Sequence, residues 1–175
     1  MRPDHPVLFL DIDGVILSGE ELWGSRDPRY IPEWKMQLLN LLCLSTVCRV
    51  VVSSTWRSDD GLRERLIAGG FAGQFHEDWR TTRDWVPNEH PRARRGCQIR
   101  EWLGRHPRTP RYCILDDDCD MLPEQRPFFV KPRFATGLMR EHVESAITIL
   151  NGTADRHPSL WPEVLCEVEA MALAA

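Results

Sequence analysis

Short, mainly apolar runs alternate along the chain with longer stretches in which apolar residues recur at helical spacing. The runs are Val7–Leu10, then Val47 with Val50–Val52, Arg111–Leu115 and Phe128–Val130. Runs of this length bounded by turn signals predict strands buried on both faces, as in a parallel sheet covered by helices. Between the first two, Pro32 and Glu33 mark a helix start, and Trp34, Leu38, Leu41 and Leu42 recur at helical spacing toward Leu44. Ser58 before Asp59 and Asp60 predicts a second helix, with Leu62, Leu66 and Ile67 apolar and Gly69-Gly70 as its stop. Arg95–Leu103 predicts a third, carrying Ile99, Trp102 and Leu103 on one face, and Gly137–Leu150 a closing helix. The stretch 16–31 is too irregular for a helix and predicts a short flap. The stretch 71–94, with Pro87 and Pro91, predicts surface loop with at most a short strand at Phe75–Trp79. From Ser159 onward, Leu160, Val164, Leu165, Val168 and Met171 predict an amphipathic tail helix, packed on the sheet or presented to a partner.

Strands alternating with helices predict an α/β fold, a three-layer parallel sheet with right-handed crossovers. The expected organisation is one domain over residues 1–152, with the flap at 16–31, and the helical tail at 153–175. A length of 175 residues suits a single core without disulfides, and 42% hydrophobic with 27% charged residues is the balance of a soluble globular protein. No apolar run has the length of a membrane span and the N-terminus leads straight into a strand, so a cytoplasmic protein without signal peptide is expected. The six cysteines form no C-x-x-C pair and read as reduced core thiols. A net charge of -4 argues against a surface that coats nucleic acid. The 22 basic residues are nonetheless all arginine except Lys35 and Lys131, and the arginine fork suits phosphate oxygens.

Three of the runs end abruptly in polar groups. The first discharges into Asp11-Ile12-Asp13-Gly14, the second into Ser53-Ser54-Thr55-Trp56-Arg57, and the third into Asp116-Asp117-Asp118-Cys119-Asp120. In open α/β sheets the ligand crevice lies outside the carboxyl ends of the strands, so these groups are expected on one rim. Carboxylates as close as Asp11 and Asp13 resist joint ionisation and call for a divalent cation or a shared proton. A bland reading exists for the first motif, an Asx-type turn after a strand. The helix at Arg95 begins with cations, which a helix N-terminus disfavours, so an anion is expected to compensate there.

With these motifs in this order, residues 7 to 150 resemble the haloacid dehalogenase superfamily of phosphohydrolases. The resemblance implies a Rossmann-like core and a phosphatase that works through an aspartyl-phosphate. It implies Asp11 as the nucleophile, Asp13 as general acid and base, and Ser54 as the hydroxyl on the transferring phosphoryl group, with Ser53 as the one-residue register alternative. Thr55 and Arg57 lie close enough in sequence to bind substrate as well. The implied cofactor is Mg2+, held by Asp11, the Asp13 backbone carbonyl, Asp116 and Asp117. The superfamily's usual lysine is missing; Arg95 is its positional match and Arg94 the second choice. Ser54–Arg57, Arg95-Gly96 and Trp102-Leu103 look most like the haloacid dehalogenase domain of Swiss Army Knife RNA-repair proteins, which implies phosphorylated nucleotides or nucleic-acid ends as substrates. Only the segments between Gly14 and Pro32 and between Phe71 and Arg94 are available for a cap, so no large cap domain and an open rim are expected. Trp23, Trp56, Trp79 and Trp85, interleaved with Arg26, Arg57, Arg80, Arg83 and Arg92, have the composition that stacks bases and grips phosphates. The rival reading is a non-catalytic module, receiver-like or degenerate, that binds phosphate for regulation.

Overall fold

Val7–Leu10 carries no polar side chain and is buried along its whole length, the pattern a central strand requires. The structure, a computed structural model, describes residues 5–24, 30–82 and 94–152. That first strand, β1, lies in the middle of a sheet with β2 (Arg49–Val52), β3 (Gln74–Arg80), β4 (Tyr112–Leu115) and β5 (Phe129–Val130). The order is β3-β2-β1-β4-β5 and each neighbouring pair is parallel, as expected from the alternation of runs and helices. The helices are α1 (Gly19–Gly24), α2 (Glu33–Thr46), α3 (Leu62–Ala68), α4 (Arg94–Arg105) and α5 (Arg140–Asn151).

Strand alternation divides the core between two faces. Leu8, Leu10, Val50, Val52, Cys113 and Leu115 cluster with Leu39 and Leu42 of α2 and with Val143 and Leu150 of α5. Val7, Phe9, Val51 and Ile114 cluster on the other face with Ile99 and Trp102 of α4, where the Phe9 ring meets Trp102 edge-on at 5.3 Å. Burial of each such side chain contributes about 1.5–3 kcal/mol. The pairing Leu10↔Val52 and Leu10↔Leu115 brings three strands to an end at one level. The ladder then runs one residue further, with Ser53 N donating to Leu10 O and Asp11 N to Leu115 O, each at 2.9 Å. Asp11, Ser53 and Asp116 thus start abreast on one rim.

Several elements differ from expectation. The 16–31 stretch is not helix-free, because α1 occupies Gly19–Gly24; Ser18 N donates to Glu21 Oε2 at 2.8 Å, one half of an S-x-x-E capping box. Val47 is not in β2 but caps α2 in a left-handed turn at φ 52° and is 62% exposed. Phe128–Val130 is not a fourth core strand: β5 is the two-residue edge Phe129–Val130. The second helix starts later than Ser58, since Thr55–Ser58 forms a 3-10 turn and α3 begins at Leu62. The strand expected at Phe75–Trp79 extends over Gln74–Arg80, and α5 begins three residues after Gly137. Cys43, Cys48, Cys97 and Cys113 are buried, reduced thiols, whereas Cys119 is exposed. The tail helix, with Cys166, lies outside the described residues.

One polar group inside the core sets the position of α1. Lys35, on the buried side of α2, is 0% exposed and donates to Glu21 Oε2 at 2.6 Å. Burial draws the Lys35 pKa down against the opposing pull of Glu21. Among the described residues, no helix is long and apolar enough to cross a membrane.

Candidate active site

The groups at the strand ends converge on one guanidinium. Arg95, in the first turn of α4, approaches Asp11 Oδ2 at 2.7 Å and Asp116 Oδ2 at 2.6 Å through the same Nη1. Asp116 is fully buried and Asp11 nearly so. Asp120 holds the arginine from behind: its Oδ2 accepts from Arg95 N at 3.0 Å and its Oδ1 lies 3.9 Å from Arg95 Nε. The anion expected at this cationic helix start is therefore internal, and Asp120 supplies one part of it. Burial alone would lower the Arg95 pKa, but Asp11 and Asp116 outweigh it and hold the side chain cationic. Arg94, one residue earlier, is exposed, so Arg95 and not Arg94 reaches the acids.

Asp117 completes the acid cluster. One carboxylate oxygen from each of Asp11, Asp116 and Asp117 can be chosen so that all lie within 4.8 Å of one another. Gly14 makes room for this, having φ +72°; a Cβ there would lie 2.1 Å from Asp117 Cγ. Two of these carboxyls hold a proton more tightly than a free aspartate. Asp116 is pushed up to about 8, by burial first and then by Asp11, with Arg95 and the Asp118 N–H opposing. Asp117 is also raised, by burial and by Asp11. A hard divalent cation accepts oxygen donors of this kind and relieves their repulsion, so the donor set fits Mg2+.

Asp13 has a different environment. It is half-buried, and its Oδ2 accepts a 2.9 Å hydrogen bond from the indole Nε1 of Trp56. Burial raises its pKa; the Trp56 bond lowers it, Asp11 raises it further and Arg95 counteracts, with a net upward shift. One carboxyl thus leans toward the protonated form while its neighbour Asp11 is paired with a cation. Replacing Trp56 by phenylalanine keeps a ring but removes the donor that favours carboxylate. The Asp13 pKa should rise, and the alkaline limb of a pH profile of kcat/KM should move to higher pH. An unmoved limb would show that Asp13 is not the group that titrates.

The segment after β2 is tightly held. Ser54 Oγ accepts from Trp56 N at 3.3 Å and caps the 3-10 turn. Ser53 Oγ is buried without a hydrogen-bond partner among the described residues, and Thr55 is exposed. Arg57, expected to fork onto phosphate, donates here to Ser54 O at 2.7 Å, Ser53 O at 3.3 Å, Thr82 O at 3.1 Å and Gln98 Oε1 at 3.2 Å. Trp56 and Trp79 are likewise engaged. Trp56 faces the Arg65 guanidinium, and Trp79 lies between Arg63 and Arg80 against the core. Trp85, Arg26, Arg83 and Arg92 are outside the described residues. The sequence reading missed Trp56 as a partner of Asp13 and Asp120 as the anchor of Arg95. The basic first turn was a signal for the second; nothing local signalled the first.

A parallel α/β sheet whose central strand ends in a cation-bridged acid cluster has the architecture of a haloacid dehalogenase-type core. The particular family follows from sequence comparison: residues 7–143 match the family described as the HAD domain in Swiss Army Knife RNA repair proteins, and the chain belongs to it. That family implies a phosphohydrolase, and the buried cluster of Asp11, Asp116 and Asp117 fits the metal site of such a domain. Comparison with curated proteins and with solved structures returned no match.

Proposed function

We propose that the protein is a Mg2+-dependent phosphate monoester hydrolase that acts on phosphorylated nucleotides or nucleic-acid ends. The observation that carries this reading is the Arg95 guanidinium bridging Asp11 and Asp116, with Asp117 completing a set of oxygen donors. Asp11 attacks phosphorus through a carboxylate oxygen, forming an acyl phosphate as the ester oxygen leaves. Asp13, raised toward its protonated form, gives that oxygen a proton and then, as carboxylate, takes one from the water that cleaves the acyl phosphate. Ser54 uses its oxygen to accept from Trp56 N and keeps its own hydrogen to donate to the phosphoryl group. Ser53, with an unpaired buried hydroxyl, is the neighbour to compare by mutation. Arg95 stabilises charge that develops on the phosphoryl oxygens while holding Asp11 in place. Bound Mg2+, held by Asp11, Asp116, Asp117 and the Asp13 backbone carbonyl, would neutralise the repulsion between carboxylate nucleophile and phosphate.

Substrate class rests on two supports. The family description names RNA repair, and among the described residues no inserted cap domain stands between the rim and solvent. A phosphate-release panel of end-phosphorylated oligonucleotides, nucleotides, sugar phosphates and phosphopeptides, each with and without Mg2+, tests the proposal. Mg2+-dependent turnover with preference for nucleotides or oligonucleotide ends is expected. Metal-independent turnover, or a clear preference for a small sugar phosphate, would overturn it. Phosphate binding without any turnover would favour a regulatory module.

A further inference from the structure

Of the tryptophans that the sequence offers for base stacking, Trp23 is 80% exposed. Its ring lies 5.4 Å from that of Phe134, which is itself 39% exposed. The pairing is held by backbone on both sides. Gly19 N donates to Phe134 O at 2.7 Å and Glu20 N to Ala135 O at 3.3 Å, joining α1 to the segment after β5. A Cβ on Gly19 would come within 2.9 Å of the Phe134 ring, so glycine lets that ring lie over the start of the helix. Lys35 and Glu21 fix the same helix from beneath. The Trp23 ring is thus held in place by its neighbours while most of it faces solvent.

The loop that leads to α1 begins at Asp11, and the segment bearing Phe134 begins where Val130 O accepts from Asp116 N at 3.3 Å. Leu138 N donates to Val15 O at 2.7 Å and closes that segment onto the Asp11–Gly14 loop. Both segments that carry the aromatic pair therefore leave the sheet at the rim that bears the acid cluster, and the exposed Lys131 and Arg133 lie on the segment that carries Phe134. Flat rings next to cations suit a base followed by backbone phosphates.

We propose that Trp23 and Phe134 form a stacking step for the terminal nucleobase of a nucleic-acid end, with Lys131 and Arg133 receiving the adjoining backbone phosphates. This subsite rests on the phosphohydrolase reading of the acid cluster. The test uses the full chain with Mg2+ and oligonucleotides phosphorylated at the 5′ or 3′ end, matched so that the terminal nucleotide either carries a base or is abasic. Trp23→Ala and Phe134→Ala should each lower kcat/KM on the base-bearing end by about tenfold or more, mostly through KM, and leave the abasic end unchanged. Trp23→Phe should recover most of the loss. Equal kinetics for Trp23→Ala and the parent protein, or an equal loss on both substrates, would overturn the subsite. A second readout requires no turnover: fluorescence anisotropy with the same oligonucleotides lacking phosphate should show tighter binding of the base-bearing end, lost in Trp23→Ala. If the parent protein hydrolyses nothing, the phosphohydrolase reading fails while this binding difference still decides the subsite; its absence in the parent protein would overturn it.

Discussion

Asp11→Asn is expected to reduce Mg2+-dependent phosphate release by on the order of ten-thousandfold or more, since the amide is not a competent nucleophile. Loss of folding is not the expected cause. Asp11 is among the groups that push Asp116 up to about 8, so its neutralisation relieves a repulsion, and Arg95 keeps Asp116 and Asp120 as partners. The thermal midpoint measured without divalent cation should therefore be unchanged or higher than in the parent protein. Activity above a few per cent of the parent in Asp11→Asn would remove the covalent mechanism. Inactivity accompanied by a large fall in midpoint would point to a structural role.

The second large effect is expected at Arg95. Arg95→Ala should lower turnover by about a hundred- to a thousandfold, the range for loss of a charged contact to the transition state. It should also destabilise the cation-free protein by about 3–5 kcal/mol, because buried carboxylates lose their counter-charge. The sign with pH follows from the same groups. Asp116 has a raised pKa even beside Arg95, so it takes up a proton more readily once the arginine is gone. The stability deficit of Arg95→Ala should then be greatest at alkaline pH, shrink as pH falls toward about 8 and level off below it, and added Mg2+ should reduce it. Arg95→Lys should recover part of the activity, while Arg94→Ala, which removes an exposed side chain, should match the parent protein. Loss of turnover in Arg94→Ala with none in Arg95→Ala would reverse the assignment; thermal unfolding against pH, with and without Mg2+, measures the stability change.

The central strands were legible because Val7–Leu10, Val50–Val52 and Cys113–Leu115 carry no charge and stop at polar residues, and parallel pairing brings such ends together. The acid cluster followed from that register. Local pattern failed where a single contact decides. Val47 is β-branched and apolar, yet it makes the left-handed turn out of α2, a conformation its side chain disfavours. The run Phe128–Val130 is too short to tell an edge strand from a central one. Helix α1 has six residues, too few for periodicity, although Ser18-Gly19-Glu20-Glu21 carried its capping signal. The bond from Trp56 to Asp13 joins residues 43 positions apart, and no local pattern encodes it. Arg57 read as a phosphate ligand because charge type says nothing of which oxygens a fork meets; here it meets main-chain carbonyls.

That arginine braces the side of the rim that carries Trp56. One guanidinium joins the carbonyls after β2, the carbonyl of Thr82 after β3 and the amide of Gln98 on α4, so displacement of any one strains the others. The 3-10 turn bearing Trp56 begins inside this brace, and Asp13, the proposed proton donor, leans on it. On the other side of the rim, α1 is joined by two backbone hydrogen bonds to the segment bearing Phe134 and Ala135 and is tied to α2 by the buried Lys35–Glu21 pair. Each side of the rim is thus tied to more than one element, and a displacement of Asp13 is resisted through Trp56 by all the elements that Arg57 joins.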